Sequence, residues 1–377
     1  MKWTPIWRQA HTAGLPLGLM AGKNHTVVWD IPVYTGGDAL RVTFLNHYGE
    51  KATKVKSMTL VADGKIYPVT KKGKKSFRIG AGERLASDEI KVKVKDGTTL
   101  QARICMADRN ADTNMTEEFG MSYRGDKTKA KKLPKKEKPQ VFVDNGMYYP
   151  VPAVEGIEIR QKKPAKVIAA FGDSITSMSR WTVPLAKRLY ETYGEEYSLV
   201  NEAILGNCLV YERDDIFKTM FGEKGTKRIA WDLEGIENLH TVMLTLCTND
   251  FSYADKKHRE ELSAENVIAA AEEVIRDLKA KGVRVTAQTL SPRKGYWVPG
   301  LSKFDDYMNE QRKKYNEWVR STDIFDYVFD ADELLKDPEN PDWFLDKYHQ
   351  GDHLHPNAEG GQLMADAYDL AKLVGRE

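Results

Sequence analysis

The sequence predicts two units. An all-β antiparallel sandwich, jelly-roll-like, or a barrel spans residues 1–160, and an α/β unit with a parallel, doubly wound sheet spans 161–377. Before residue 160, apolar and polar residues alternate in short runs separated by turns. After Pro164, apolar runs of strand length alternate with stretches of helical periodicity. Between them, Gln161-Lys-Lys-Pro164 is a polar stretch suited to a junction. A chain of 377 residues has ample capacity for two cores.

In the first unit, Leu40, Val42 and Phe44 alternate, as do Ile90, Val92 and Val94, and Asp63-Gly64 and Asp96-Gly97 mark turns. Residues 127–138 carry seven lysines in twelve positions and read as a solvated surface loop, with an anionic partner as the alternative. Gly146 to Ile159 reads as extended chain. In the second unit the strand candidates are Val167–Phe171, Tyr197–Ile204, Thr241–Leu246, Val283–Leu290 and Tyr327–Phe329. Val267, Ile268, Ala271, Val274, Ile275 and Leu278 hold one helical face, ending before Gly282.

Lys+Arg 57 against Asp+Glu 55 leaves a net charge of +2, which argues against a nucleic-acid partner. No apolar run is long enough to cross a membrane, and the opening MKWTPIWRQAHTAG lacks the apolar stretch of a secretory signal, so a cytoplasmic protein is expected. Cys105, Cys208 and Cys247 have no CxxC spacing and read as free thiols rather than a disulfide framework or a structural zinc site.

In a doubly wound sheet, ligands bind beyond the carboxyl ends of the strands. The first strand runs into Gly172-Asp173-Ser174, where a tight turn and a following helix N-terminus suit a serine nucleophile. Alone, that tripeptide arises in about one chain in ten of this length. The second run ends at Asn201-Glu-Ala-Ile-Leu-Gly206, whose glycine amide suits a second oxyanion donor. The third ends at Cys247-Thr248-Asn249-Asp250, where the Asn249 amide can face the same cleft or cap a turn.

Asp352-His353-Leu354-His355-Pro356 precedes the last helical pattern, which includes Leu363, Met364, Ala367 and Leu370. A serine needs a base, and the base needs a partner that fixes its tautomer. Asp352 and His355 at a separation of three meet that need, with His353 and His349 as competing histidines. The spacing of the three histidines does not suit a metal, and neither a metal nor a cofactor is expected.

Residues 165–377 resemble the SGNH (GDSL-type) hydrolases on Gly172-Asp173-Ser174, Asn201 to Gly206, Thr248-Asn249-Asp250 and Asp352 to Pro356. The resemblance implies a three-layer α/β/α, flavodoxin-like fold and ester hydrolysis through an acyl-enzyme. It makes Ser174 the nucleophile, His355 the base oriented by Asp352, and the Ser174 amide, Gly206 and Asn249 the oxyanion hole. Cys247 and Ala203 stand where the family usually has glycine, and a Cβ at 247 is expected to crowd the cleft if that backbone takes positive φ. The N-terminal unit resembles those preceding the hydrolase domain in two-domain carbohydrate acetylesterases.

Asn207 to Asn238 and Ser291 to Lys303 read as rim insertions. Trp181, Trp297 and Trp343 are the candidates for contact with sugar faces, and no continuous apolar lid is visible. These features favour acetylated xylan- or mannan-derived oligosaccharides as substrate. The alternatives are a lipid or small-molecule carboxylesterase and a non-catalytic carbohydrate-binding protein.

Overall fold

The computed structural model describes residues 2–13, 23–108, 113–116, 120–134, 141–143, 146–215 and 218–376. Beside a small antiparallel sheet in the order Thr113–Thr116, Gly146–Pro152, Val141–Val143, the N-terminal unit is built on two large antiparallel sheets. One orders Lys2–Arg8, Val154–Gln161, Gly37–Leu45 and Arg84–Ala86, with Ile90–Val94 also on Gly37–Leu45. The other orders Gly120–Arg124, His25–Val33, Thr98–Met106, Thr53–Ala62 and Lys65–Pro68, with Phe77–Ile79 also on Thr53–Ala62. The period-2 pattern makes this a sandwich. Leu40, Val42 and Phe44 from one sheet meet Val27, Trp29, Ile31, Leu100, Ala102 and Ile104 from the other in one core. The extended stretch after Gly146 is two strands, Gly146–Pro152 and Val154–Gln161, broken at Ala153 with φ +60°. Of the lysine-rich stretch, residues 135–138 lie outside the described residues; Lys129, Lys131 and Lys132 are exposed. Buried Thr128 anchors its start to Ser57 at 3.0 Å and Asp126 at 2.7 Å.

The C-terminal unit contains a five-stranded parallel sheet in the order Tyr197–Asn201, Lys166–Gly172, Leu239–Thr245, Arg284–Gln288, Tyr327–Phe329. Alternation along the first strand explains the three layers. Ile168 and Ala170 face helices Thr182–Tyr193 and Ala358–Ala367, through Leu185, Leu189, Met364 and Ala365. Phe171 joins Val242 and Leu244 on the opposite face, against helices Ala264–Ala280 and Asp306–Ser321.

Four elements end earlier than the sequence pattern predicts: the third and fourth strands, at Thr245 rather than Leu246 and at Gln288 rather than Leu290, and two others for which the local cause is visible. The second strand stops at Asn201 rather than Ile204, because the Asn201 carboxamide turns the chain by accepting the Ala203 N–H at 3.2 Å. The C-terminal helical pattern is two helices, Ala358–Ala367 and Leu370–Val374, since Asp369 caps a new start through the Lys372 N–H at 3.1 Å.

The edge strand Tyr197–Asn201 is covered by the sandwich strand Lys2–Arg8. Gln9 makes a parallel bridge to Asn201, and the Ser198 hydroxyl donates to the Pro5 carbonyl at 2.5 Å. Among the described residues no helix is long and apolar enough to cross a membrane, and all three cysteines are buried, unbridged thiols.

Candidate active site

Ser174 stands where the first parallel strand turns into a helix. A Cβ on Gly172 would lie 2.3 Å from Thr245 Oγ1 and 2.6 Å from Thr176 Oγ1, so only glycine allows this turn. Asp173, in extended geometry, caps the short helix Ser174–Ser177 by accepting the Ile175 N–H at 3.1 Å. As the first helical residue, Ser174 has no intrahelical partner for its own N–H.

The loop before the last two helices delivers the other groups. Asp352 Oδ1 accepts the backbone N–H groups of Leu354 at 3.0 Å and His355 at 2.9 Å, and Oδ2 accepts His355 Nδ1–H at 2.6 Å and Gln350 Nε2–H at 2.9 Å. Burial alone would raise the Asp352 pKa, but hydrogen bonds from His355 and Gln350 hold it well below the usual carboxylate range. The carboxylate therefore fixes the proton on Nδ1. The free Nε2 lies 2.7 Å from Ser174 Oγ and accepts its hydroxyl proton. This arrangement can deprotonate a serine and stabilise the imidazolium that results.

The competing histidines point elsewhere. His353, at φ +59°, packs edge-on to Trp343 with ring centroids 5.3 Å apart. His349 Nδ1 accepts the N–H groups of Gly351 at 2.9 Å and His353 at 3.2 Å, which places its proton on Nε2, 3.2 Å from Asp346 Oδ1. The potential ligand atoms of Asp346, His349 and His353 lie within 4.8 Å of one another. That tautomer leaves His349 no lone pair to offer a cation there.

Gly206 has φ +70°, and a Cβ on it would lie 2.5 Å from the Phe221 ring. Its N–H has no partner among the described residues. Asn249 stands second in helix Thr248–Ser252, buried, and donates one Nδ2–H to the Asn207 carbonyl at 3.0 Å. The other N–H of that amide remains for a ligand. Cys247 does take positive φ, at +86°, yet its side chain is fully buried in the core formed by Val242, Leu244 and Phe251, so the Cβ does not crowd the cleft. Ala203 is likewise buried.

Sequence reasoning missed Arg228. This fully buried residue donates to the carbonyls of Gly172 at 3.0 Å and Glu202 at 2.9 Å and to Asn207 Oδ1 at 2.8 Å, and it lies 3.9 Å from the centroid of the Phe171 ring. It ties the Ser174 turn to both ends of the glycine block. In sequence it shows only a pair at separation four with Asp232, which ordinarily marks an exposed helix face.

The three tryptophans separate. Trp181 is fully buried and stacks on Tyr368 at 5.5 Å, so it presents no face to a ligand, contrary to the sequence expectation. Trp343 is half-buried against the 291–303 loop: a Cβ on Gly295 would touch its ring at 2.5 Å. Trp297 is 64% exposed, on the hairpin of Trp297–Val298 with Ser302–Lys303. Beside it lies a groove of about 440 Å³ lined by Tyr211, Arg213, Ser252, Asp255 and His258.

Residues 170–363 match the GDSL-like lipase/acylhydrolase family. Solved structures of similar fold include an acetyl xylan esterase, AlAXEase, at 20% identity and TM-score 0.38, covering 53% of this chain and 96% of that one. A carbohydrate acetylesterase from Sinorhizobium meliloti matches at 18% identity and TM-score 0.41, covering 54% and 95%. The aryl esterase of M. smegmatis matches at 15% and 0.44, covering 55% and all of that chain. No curated protein matches the chain.

Proposed function

The chain belongs to the GDSL-like lipase/acylhydrolase family, and from that premise we propose a serine esterase that removes acetyl groups from oligosaccharides, with Ser174, His355 and Asp352 as its triad. The observation that carries this reading is the continuous line from Asp352 Oδ2 through His355 to Ser174 Oγ, with contacts of 2.6 and 2.7 Å. Ser174 Oγ attacks the ester carbonyl carbon as its proton passes to His355 Nε2. The carbonyl oxygen becomes an oxyanion, received by the N–H groups of Ser174 and Gly206 and the free amide N–H of Asn249. Collapse breaks the bond to the sugar oxygen, which takes the proton from His355 and departs as a hydroxyl, leaving an acetyl-serine. Water, deprotonated by the same histidine, attacks the acyl-enzyme; the collapse that follows releases acetate and returns the proton from His355 to Ser174 Oγ. The residues that hold these groups come from 161–377, and the sandwich of 1–160 forms a separate domain against them.

The substrate class rests on the rim. Enzymes that work at a lipid surface present contiguous exposed apolar area. Among the described residues Trp297 is the one large hydrophobic side chain that is exposed, and it borders a groove of polar and aromatic residues. An indole face beside hydrogen-bonding groups suits a sugar ring. Comparing aryl acetate, aryl butyrate and acetylated xylo- and manno-oligosaccharides tests the reading: the acetylated sugars give the highest kcat/KM. A preference for octanoyl esters would favour the lipid or small-molecule esterase, and no turnover of any ester would favour a non-catalytic sugar-binding protein.

A further inference from the structure

We propose that Arg293 is a positioning residue for the oxyanion hole, holding the Asn249 segment by its backbone while presenting a buried positive charge to Asp173, the neighbour of Ser174. The inference rests on the ester-hydrolysis reading above and adds to it a group outside the four sequence blocks.

Arg293 lies in the rim loop between strand Arg284–Gln288 and the Trp297 hairpin, and it is fully buried. Its Nη1 donates to the Thr248 carbonyl at 2.6 Å and to Ser252 Oγ at 3.2 Å, and Ser252 Oγ donates to the same carbonyl at 3.0 Å. Thr248 joins Cys247, in the left-handed region, to Asn249. Non-glycine residues persist in that region only where their surroundings over-determine the backbone. Two donors on the Thr248 carbonyl fix the peptide plane from which Asn249 departs, and so fix the direction of its amide.

The rest of the guanidinium is unspent. Nε and Nη2 have no partner among the described residues, and the plane lies 5.0 Å from the Phe304 ring centroid. Asp173 Oδ2 is also buried and unpartnered. Facing Asp173 are His355, Arg293 and Thr248; facing Arg293 are Arg312, Asp173, Tyr296 and Asp332. Burial, joined by repulsion from Arg312, lowers the Arg293 pKa to about 9, which still leaves it charged at neutral pH. Burial raises Asp173 to about 6, against the Ile175 N–H and the charges of His355 and Arg293. Removing the Arg293 charge leaves Asp173 easier to protonate. Protonation then weakens the cap that orients Ser174.

The test compares Arg293→Met with Arg293→Lys on aryl acetate, with folding checked by circular dichroism and Ser174 checked by labelling with a serine-directed phosphonate. In the Met variant kcat falls about 10²-fold, the scale of losing one oxyanion donor, with KM within twofold. The acid limb of its kcat profile moves to higher pH by at least about half a unit. The Lys variant keeps the charge but not the guanidinium geometry that reaches both the Thr248 carbonyl and Ser252 Oγ, so its kcat falls about three- to tenfold and its acid limb stays in place. Should the Met variant fail to fold, the Lys variant still decides: wild-type kcat, or equal changes in kcat and KM, overturns the proposal. A folded Met variant with wild-type kcat overturns it, as does one whose acid limb stays put. If the wild type neither turns over aryl acetate nor takes the serine-directed phosphonate at Ser174, the esterase reading itself fails; labelled, active enzyme with indifferent Arg293 variants removes this inference alone.

Discussion

Arg8 Nε donates to Glu202 Oε1 at 2.6 Å, joining the first strand of the sandwich to the glycine block of the hydrolase domain. The same guanidinium donates to Glu155 at 2.8 Å and to the Asp232 carbonyl at 2.7 Å. Asp232 in turn pairs at 2.5 Å with Arg228, which holds the Gly172 and Glu202 carbonyls. The sandwich thus reaches the backbone that carries Ser174 through two buried arginines.

Arg8→Met would remove the ion-pair partner of Glu202, whereas Glu155 keeps Arg84 at 2.9 Å and Asp232 keeps Arg228 at 2.5 Å. Breaking one side of a buried ion pair costs about 3–5 kcal/mol, because the remaining charge is stranded. Denaturant unfolding above about pH 8, where Glu202 is ionised, should show a loss in that range. A loss below about 1 kcal/mol would mean that the network relaxes or takes up water and contributes little.

Glu202 supplies a pH signature. Burial raises its pKa to about 8; Arg8 opposes the rise, and Asp232 and Glu155 add to it. The unfolded chain releases this proton near the ordinary glutamate value of about 4.3. Between the two values the folded state binds more protons, so this group's contribution to stability falls as pH rises from about 4.3 to 8. In Glu202→Gln that slope disappears while an oxygen remains to accept from Arg8. Melting temperatures from pH 5.5 to 8.5 should therefore decline less steeply in the variant; parallel curves would refute the assignment.

The catalytic assignments predict an order among variants. Ser174→Ala abolishes aryl acetate hydrolysis with the fold intact, and His355→Ala loses several powers of ten in kcat. Asp352→Asn falls between His355→Ala and wild type, since the imidazole remains but its tautomer is no longer fixed. His353→Ala, whose ring faces Trp343, stays largely active. If His353→Ala is the dead variant instead, the proton path runs through a different histidine.

The sheet and the four blocks were legible because they are local: strand periodicity, a turn glycine and a histidine three residues from its aspartate each lie within a few positions. What holds those blocks together was not. Arg8 and Arg228 act on residues distant in sequence, and nothing in a charged residue's neighbours marks it for burial. Trp181 fails as a sugar contact for the same reason, since its partner Tyr368 comes from the far end of the chain. Cys247 could be read only as a condition: its φ is positive, and the direction of its side chain into the core came from packing.

The oxyanion hole gives two separable effects. Asn249→Ala should lower kcat by about 10² to 10³ with a modest change in KM, because the amide acts on charge that develops in the transition state. Gly206→Ala forces a Cβ against Phe221 at positive φ, so it should lose stability as well as kcat. Equal kcat for Asn249→Ala and wild type would point to a different third donor.

The tryptophans then separate substrate from scaffold. Trp297→Ala removes an exposed ring beside the groove; its loss should leave the melting temperature nearly unchanged and aryl acetate turnover intact, while kcat/KM for acetylated oligosaccharides drops about tenfold, the scale of one stacking contact. Trp181→Ala opens a cavity in the core and should cost about 3–5 kcal/mol, with activity on both substrates falling together as folded protein is lost. Trp343→Ala is the intermediate case, since this half-buried side chain packs against Gly295 of the 291–303 loop. If Trp297→Ala lowers both substrates equally, its ring supports the hairpin rather than a sugar, and the groove beside it has no role in choosing the ester.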